Sequence, residues 1–83
     1  MIEIYTTRVC PYCDQAKALF KEKGLEYTEY LVDSSSEKMS EMLERSQRRT
    51  VPQIFIHGHH VGGFDDLKQL VEANRLDDLL KGA

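Results

Sequence analysis

A pair of cysteines lies where a strand pattern gives way to a helix pattern, and this junction constrains the fold more than any other feature. Apolar and polar side chains alternate over residues 1–6, which predicts a strand. Pro11 follows the first cysteine, and proline suits the first position of a helix because no N–H donor is needed there. Apolar residues then recur at helical spacing up to Gly24, which we expect to end the helix in a left-handed conformation. Cys10 is therefore predicted to lie between a strand and the start of a helix.

The rest of the chain carries three further strand patterns and three helix patterns. In chain order they are a strand over Glu26–Val32, a helix capped by Ser34 with Glu37 completing a capping box, a strand over Pro52–Ile56, a turn over His57–His60, a brief strand from Val61 to Gly63, a helix capped by Asp65 or Asp66, and a last helical turn carrying Leu76, Leu79 and Leu80. Strand–helix–strand order implies a parallel pair, and the tight turn implies an antiparallel hairpin. We predict one α/β domain over residues 1–83, with a mixed four-stranded sheet flanked by helices on both faces.

Composition narrows the classes of function. Fourteen acidic and eleven basic residues give a net charge of -3, which argues against a nucleic-acid binder because such proteins usually carry excess Lys and Arg. No apolar run approaches the roughly 20 residues needed to cross a bilayer. The first residues lack the basic and apolar pattern of an export signal. We therefore expect a cytoplasmic protein.

The cysteine pair is better suited to chemistry than to stabilisation. A bridge between Cys10 and Cys13 closes almost no loop, so it removes little entropy from the unfolded chain. A sulfur at a helix start faces unpaired N–H groups and the positive end of the helix dipole, which lowers the thiol pKa below roughly 8.5. Only the thiolate attacks disulfides. We expect Cys10 to attack and Cys13, one helical turn further on, to resolve the intermediate, with Tyr12 as a flat wall beside them.

Half of a zinc site is the main alternative for the same pair. Zinc would need two more ligands, and His57, His59 and His60 are the candidates in the predicted turn. The strand–Cys-x-x-Cys–helix setting favours redox chemistry over metal binding.

Pro52 opens an apolar strand, where proline is tolerated because a strand start needs no ladder donor. A second interpretation is a cis bond between Val51 and Pro52. That geometry would leave the backbone N–H and C=O of Val51 free to pair with an extended peptide.

Taken together, three motifs resemble the glutaredoxin family. Cys10-Pro11-Tyr12-Cys13, Thr50-Val51-Pro52 and Gly62-Gly63-x-Asp65-Asp66 occur in the order and spacing of that family, and the match covers essentially the whole chain. The chain is most similar to the short bacterial dithiol members of the glutaredoxin 3 type. The resemblance implies the thioredoxin fold in its minimal form.

The resemblance also implies an activity. Cys10 would attack glutathione mixed disulfides and protein disulfides, Cys13 would resolve the protein adducts, and glutathione would supply the reducing power as co-substrate, without metal or flavin. The implied partners are glutathione and disulfide-containing or glutathionylated proteins, with ribonucleotide reductase as one candidate. Nothing in the sequence indicates more than a monomer.

Glutathione-binding residues carry over from the family by position. Val51 would pair with the cysteinyl backbone and Tyr12 would flank it, while the γ-glutamyl end would meet N–H groups at a helix start and the Asp65 carboxylate. The full implied set is Tyr12, Thr50, Val51, Pro52, Gly63, Phe64 and Asp65.

At two positions this chain departs from the family. Thr7 stands where members usually carry Lys, so Arg8 or Arg49, or the adjacent Arg48, would have to supply the missing positive charge. Phe64 stands where members of this type often have a further cysteine.

Two other functions remain open from the sequence. One is an electron carrier reduced by thioredoxin reductase; the Asp65 end and Tyr12 favour glutathione instead. The other is a carrier of a glutathione-ligated 2Fe–2S cluster. Dedicated cluster carriers of the family usually have a single active-site cysteine, so Cys13 and the Pro11-Tyr12 pair argue against that role.

Overall fold

Four strands and four helices form the fold in a computed structural model that describes residues 1–81. They are β1 (Ile2–Thr6), α1 (Pro11–Glu22), β2 (Thr28–Leu31), α2 (Ser36–Ser46), β3 (Gln53–Ile56), β4 (His59–Gly62), α3 (Phe64–Glu72) and α4 (Leu76–Leu80). The strands lie in the order β2-β1-β3-β4; β1 and β2 are parallel, and the other two pairs are antiparallel. The predicted mixed four-stranded sheet is confirmed. Within residues 1–81, no helix is both long enough and apolar enough to cross a bilayer.

Both faces of the sheet are covered, because β1 and β3 are central strands with apolar side chains on each side. One face packs against α1, α3 and α4 through a buried cluster of Ile2, Ile4, Ala16, Phe20, Ile54, Ile56, Leu67 and Leu76. The other face packs against α2 through Tyr5, Val32, Met42 and Phe55. The prediction of helices on both faces is therefore confirmed.

Polar groups also anchor α2 to the sheet. Arg45 forms an ion pair with Glu3 at 3.1 Å, and its Nη1 donates to the hydroxyl of Tyr5 at 2.8 Å. Tyr5 in turn donates to the carboxylate of Glu41. Burial and this carboxylate raise the pKa of Tyr5 to about 12. The hydroxyl is thus a neutral donor at physiological pH, and every polar group in the network has a partner.

The capping serine of α2 differs from the prediction by one residue. Ser35, in extended conformation, is the N-cap, and its Oγ accepts from the N–H of Lys38 at 3.2 Å. Ser34 precedes the helix, and its hydroxyl lies 3.5 Å from the carboxylate of Asp33. The predicted cap at Ser34 is wrong because the helix starts at Ser36, so Ser35 is the residue immediately before its first turn.

Strand β2 and the β3–β4 turn are also shorter than predicted. Strand β2 spans Thr28–Leu31 rather than residues 26–32, and these four residues pair in parallel with residues 3–6 of β1. The turn consists of His57 and Gly58, with φ of 51° and 80°. Positive φ at both positions suits a two-residue hairpin, so the next two histidines already belong to β4.

Helix α3 begins differently from the prediction, and this matters for the site. Its N-cap is Gly63, and the carboxylate of Asp66 reaches back to accept from the Gly63 N–H at 2.9 Å. Neither Asp65 nor Asp66 is the N-cap, because the helix already starts at Phe64. The preceding Gly62 is buried with φ of 117°, and a Cβ there would collide with the Asp66 carboxylate.

We predict that Gly62→Ala destabilises the protein much more than Gly24→Ala. In the left-handed conformation of Gly24 an alanine costs roughly 1–2 kcal/mol, whereas the φ of 117° at Gly62 lies outside that region. In addition, open space surrounds Gly24, whereas Asp66 blocks the methyl group at Gly62. The collision should add roughly 1–3 kcal/mol. Urea unfolding of the two variants measures the difference, and equal losses of unfolding free energy would contradict the close approach of Asp66.

Candidate active site

Cys10 is the N-cap of α1, at the junction predicted from the sequence. Its Sγ accepts a hydrogen bond from the backbone N–H of Cys13 at 3.1 Å. The two residues are joined by a disulfide, with their Cα atoms 5.2 Å apart. Cys13 is fully buried, whereas Cys10 keeps 8% of its surface exposed. After reduction, a helix N–H and the positive end of the helix dipole would thus stabilise a thiolate on Cys10, the less buried of the two cysteines.

The backbone of Val51, in the loop before β3, lies next to the sulfur of Cys10. The bond between Val51 and Pro52 is cis, so the second interpretation of the proline is confirmed. The carbonyl oxygen of Val51 lies 3.9 Å from Cys10 Sγ. Among residues 1–81, no backbone hydrogen bond outside the helices and strands uses the N–H or C=O of Val51. Both groups are therefore available to an extended peptide lying beside the sulfur.

A groove of about 220 Å³ opens next to Val51. It lies between the start of α1, the loop before β3 and the start of α3. On one wall the rings of Tyr12 and Phe64 stack with their centroids 6.2 Å apart. The groove is lined by Tyr12, Arg48, Thr50, Val51, Pro52, Gln53, Gly63, Phe64, Asp65 and Asp66. The structure thus brings together all seven residues that the sequence pointed to as glutathione ligands.

Charge at the groove comes from the start of α3 and from one arginine. Asp65 is exposed at the rim. The Asp66 carboxylate accepts a hydrogen bond from the Gly63 N–H. The same carboxylate oxygen pairs with the Arg48 guanidinium, whose Nη1 lies 3.4 Å away. The helix start supplies N–H donors for an anion, and Asp65 suits an ammonium group. A ligand carrying both charges fits this arrangement.

Arg48 is the groove residue whose place the sequence left unresolved. The backbone N–H of Arg48 donates to the Ser46 hydroxyl oxygen at 3.0 Å, and that hydroxyl donates to the C=O of Met42 at 2.6 Å. The residue before Arg48, Gln47, ends α2 in a left-handed conformation with φ of 60°. No motif signals a left-handed glutamine, so the direction of the next side chain could not be predicted.

Arg8 and Arg49, the other two candidates for the missing charge, do not line the groove. The backbone N–H and the Nε of Arg8 both donate to one oxygen of Asp33, at 3.1 and 3.3 Å. These bonds, led by the one from the backbone, lower the pKa of the Asp33 carboxyl. Thr7, where the family has Lys, turns its hydroxyl to the C=O of Val9 at 3.4 Å. The groove therefore receives its positive charge from the α2 side.

Two of the three histidines proposed as zinc ligands have other partners. His60 bonds the amide oxygen of Gln53 at 2.8 Å, and His57 lies 3.0 Å from the C=O of Leu80. Across residues 1–81, no three His, Cys, Asp or Glu side chains are grouped so as to hold a metal ion.

Comparison with known proteins identifies the family. The glutaredoxin family model matches residues 2–61. Glutaredoxin 3 of Escherichia coli K12 is 51% identical over 80 residues, which cover 96% of each chain. A solution structure of glutaredoxin from Brucella melitensis is 51% identical, with a TM-score of 0.83 over 96% of this chain and 87% of that one. A crystal structure of a buckwheat glutaredoxin–glutathione complex is 28% identical, with a TM-score of 0.88 over 98% and 76%. The chain belongs to the glutaredoxin family of thiol–disulfide oxidoreductases.

Proposed function

We propose that this glutaredoxin uses glutathione to reduce protein disulfides and glutathione mixed disulfides, with Cys10 as the nucleophile. The observation that carries the proposal is the position of Cys10 Sγ, which accepts a helix N–H at 3.1 Å and lies 3.9 Å from the C=O of Val51. The buckwheat relative, solved as a glutaredoxin–glutathione complex, supports the choice of glutathione.

A glutathione mixed disulfide is reduced in two exchanges. The Cys10 thiolate attacks the glutathione sulfur, and the substrate sulfur leaves with the bonding electrons and takes a proton. Cys10 now holds glutathione. The thiolate of a second glutathione attacks the bound glutathione sulfur, so that oxidised glutathione leaves and the Cys10 thiolate is restored.

A protein disulfide requires Cys13 as well. Cys10 attacks one sulfur of the substrate and forms a mixed disulfide with it. Cys13, deprotonated, then attacks Cys10 Sγ, which releases the reduced substrate and leaves the Cys10–Cys13 bridge. The 5.2 Å separation of their Cα atoms lies within the range that a disulfide needs. Two glutathione molecules reduce the bridge.

In this proposal, each part of glutathione binds a different part of the groove. The backbone N–H and C=O of Val51 pair with the cysteinyl residue, and Tyr12 packs beside it. The N–H groups of Phe64 and Asp65 in the first turn of α3 receive the γ-glutamyl carboxylate, and the Asp65 carboxylate receives its ammonium group, while the Gly63 N–H stays bonded to Asp66. Thr50 and Pro52 complete the wall, and Arg48 supplies the charge that Thr7 lacks.

The wider role follows from the same chemistry. We propose a single-domain, monomeric cytoplasmic protein whose partners are glutathione and disulfide-containing or glutathionylated proteins, with ribonucleotide reductase as one candidate substrate. Its co-substrate is glutathione, and its catalytic cycle requires neither metal nor flavin.

We predict that Cys10→Ser abolishes turnover of a glutathione mixed disulfide of a small thiol, whereas Cys13→Ser retains it. Only Cys10 is needed for that substrate, whereas protein disulfides need both sulfurs. NADPH consumption coupled through glutathione reductase measures the small substrate, and reduction of an insulin disulfide measures the second reaction. Cys13→Ser should lose most of the insulin activity.

Replacing glutathione and its reductase by thioredoxin reductase provides the control for the reducing system. Turnover with thioredoxin reductase alone would contradict the glutathione assignment, as would equal loss of mixed-disulfide activity in the two serine variants.

We predict that Arg48→Gln raises the KM for glutathione more than Arg8→Gln or Arg49→Gln does. Arg48 is the one of the three that lines the groove, and its charge is half exposed, so we expect an increase of about two- to five-fold. The effect should shrink at high salt, because exposed charges are screened. The same increase in all three variants would indicate a general effect of net charge and would contradict the assignment.

A further inference from the structure

A buried amide holds the loop that faces Cys10. Gln53, the first residue of β3, is fully buried. Its Nε2 donates to the backbone C=O of Thr50 at 3.0 Å and to the Thr50 hydroxyl oxygen at 3.2 Å. Its Oε1 lies 2.8 Å from Nε2 of His60 in β4. The amide thus connects the hairpin to the residue that precedes Val51.

This amide is the main polar restraint on that loop. Outside the helices and strands, no backbone–backbone hydrogen bond within residues 1–81 involves Arg49, Thr50 or Val51. Thr50 is exposed, so packing contributes little to its position. The two bonds from Gln53 therefore largely fix where Thr50 lies, and Val51, the next residue, carries the C=O beside Cys10.

The Thr50 carbonyl and His60 together set which way the amide points. The Thr50 carbonyl can only accept, so the NH₂ group of Gln53 must face Thr50 and Oε1 must face His60. His60 then donates through Nε2–H. Its ring is held against Phe55, with centroids 4.9 Å apart and planes 29° apart. Without this donor, the buried Oε1 would be left without a partner, which favours rotation or displacement of the amide.

We propose that Gln53 and His60 are positioning residues for the glutathione groove: His60 orients the Gln53 amide, and the amide holds Thr50 and Val51 opposite Cys10. The inference rests on the proposed function, because the groove is taken to be the glutathione site. Neither residue exchanges a proton or a bond in the reaction. Their contribution is to the binding of glutathione and of its mixed disulfides.

The test compares three histidine variants. His60→Phe keeps the ring against Phe55 but removes the donor, whereas His60→Gln offers an amide N–H that can replace it. His59→Phe, at the exposed neighbouring position, is the matched control. We expect His60→Phe to raise the KM for a glutathione mixed disulfide about five- to ten-fold at nearly constant kcat, the effect of one hydrogen bond. His60→Gln should recover most of the loss, and His59→Phe should have no effect.

A second readout is independent of turnover. In NMR spectra, the side-chain NH₂ signals of Gln53 and the backbone N–H signals of Thr50 and Val51 should shift in His60→Phe and return towards wild type in His60→Gln. Gln53→Met, which removes the amide and keeps its volume, should raise the KM similarly. Adding His60→Phe to it should have little further effect, because the two residues act through one interaction.

The outcomes distinguish failure of the positioning role of His60 from failure of the proposed glutathione-dependent function. An unchanged KM in folded His60→Phe, or equal losses in His60→Phe and His60→Gln, would overturn the positioning role. If the wild type shows no glutathione-dependent turnover, the proposed function fails. The network is then judged by NMR alone: shifts at Thr50 and Val51 support it, and their absence overturns it.

Discussion

The hydrogen bond from the Cys13 N–H to Cys10 Sγ is the interaction on which the chemistry of this protein depends. It exists because Cys10 occupies the N-cap position, where a side-chain acceptor normally satisfies one of the free N–H groups of the first turn. Serine or aspartate would fill that position for stability alone. A sulfur there is less effective as a cap, but the same N–H and the same dipole stabilise its anion. Reactivity and helix initiation therefore depend on the same geometry.

The sheet brings the remaining parts of the site to this sulfur. Antiparallel pairing of β3 with β1 carries the loop before β3 to the end of β1 from which Cys10 follows. The β3–β4 hairpin then returns the chain so that α3 starts on the other side of the groove. Three segments distant in sequence thus meet at one edge, where they present an open backbone, an aromatic wall and a helix start. Each lines part of the groove, and none forms it alone.

Much of this arrangement could be predicted from the sequence, because local signals and the fold agree. Alternation in β1, Pro11 after Cys10 and Gly24 at the helix end each have a direct structural consequence, and the structure follows them. Other features depend on contacts that no local signal encodes. The capping carboxylate of α3 could not be told from its neighbour, because Asp65 and Asp66 are chemically identical and only the position of Gly63 decides between them.

Long-range polar contacts were missed for the same reason. Arg45 resembles a solvated residue at the end of α2, but it pairs with Glu3 across the sheet face. His60 resembles a turn residue or a metal ligand, but it donates to an amide seven residues earlier in the chain. The first contact arises from the packing of α2 on the sheet and the second from strand register, and both are set only once the fold has formed. Sequence reasoning therefore identified the residues at the cysteine pair better than those that hold them in place.

The claim that the start of α1 makes Cys10 a nucleophile is tested most directly by the pH dependence of alkylation of the reduced protein. A thiolate stabilised by the helix start should react with a midpoint well below the roughly 8.5 of a free thiol. The fast reaction should be lost in Cys10→Ser and kept in Cys13→Ser. A midpoint at or above that of a free thiol, or faster reaction at Cys13, would contradict the claim.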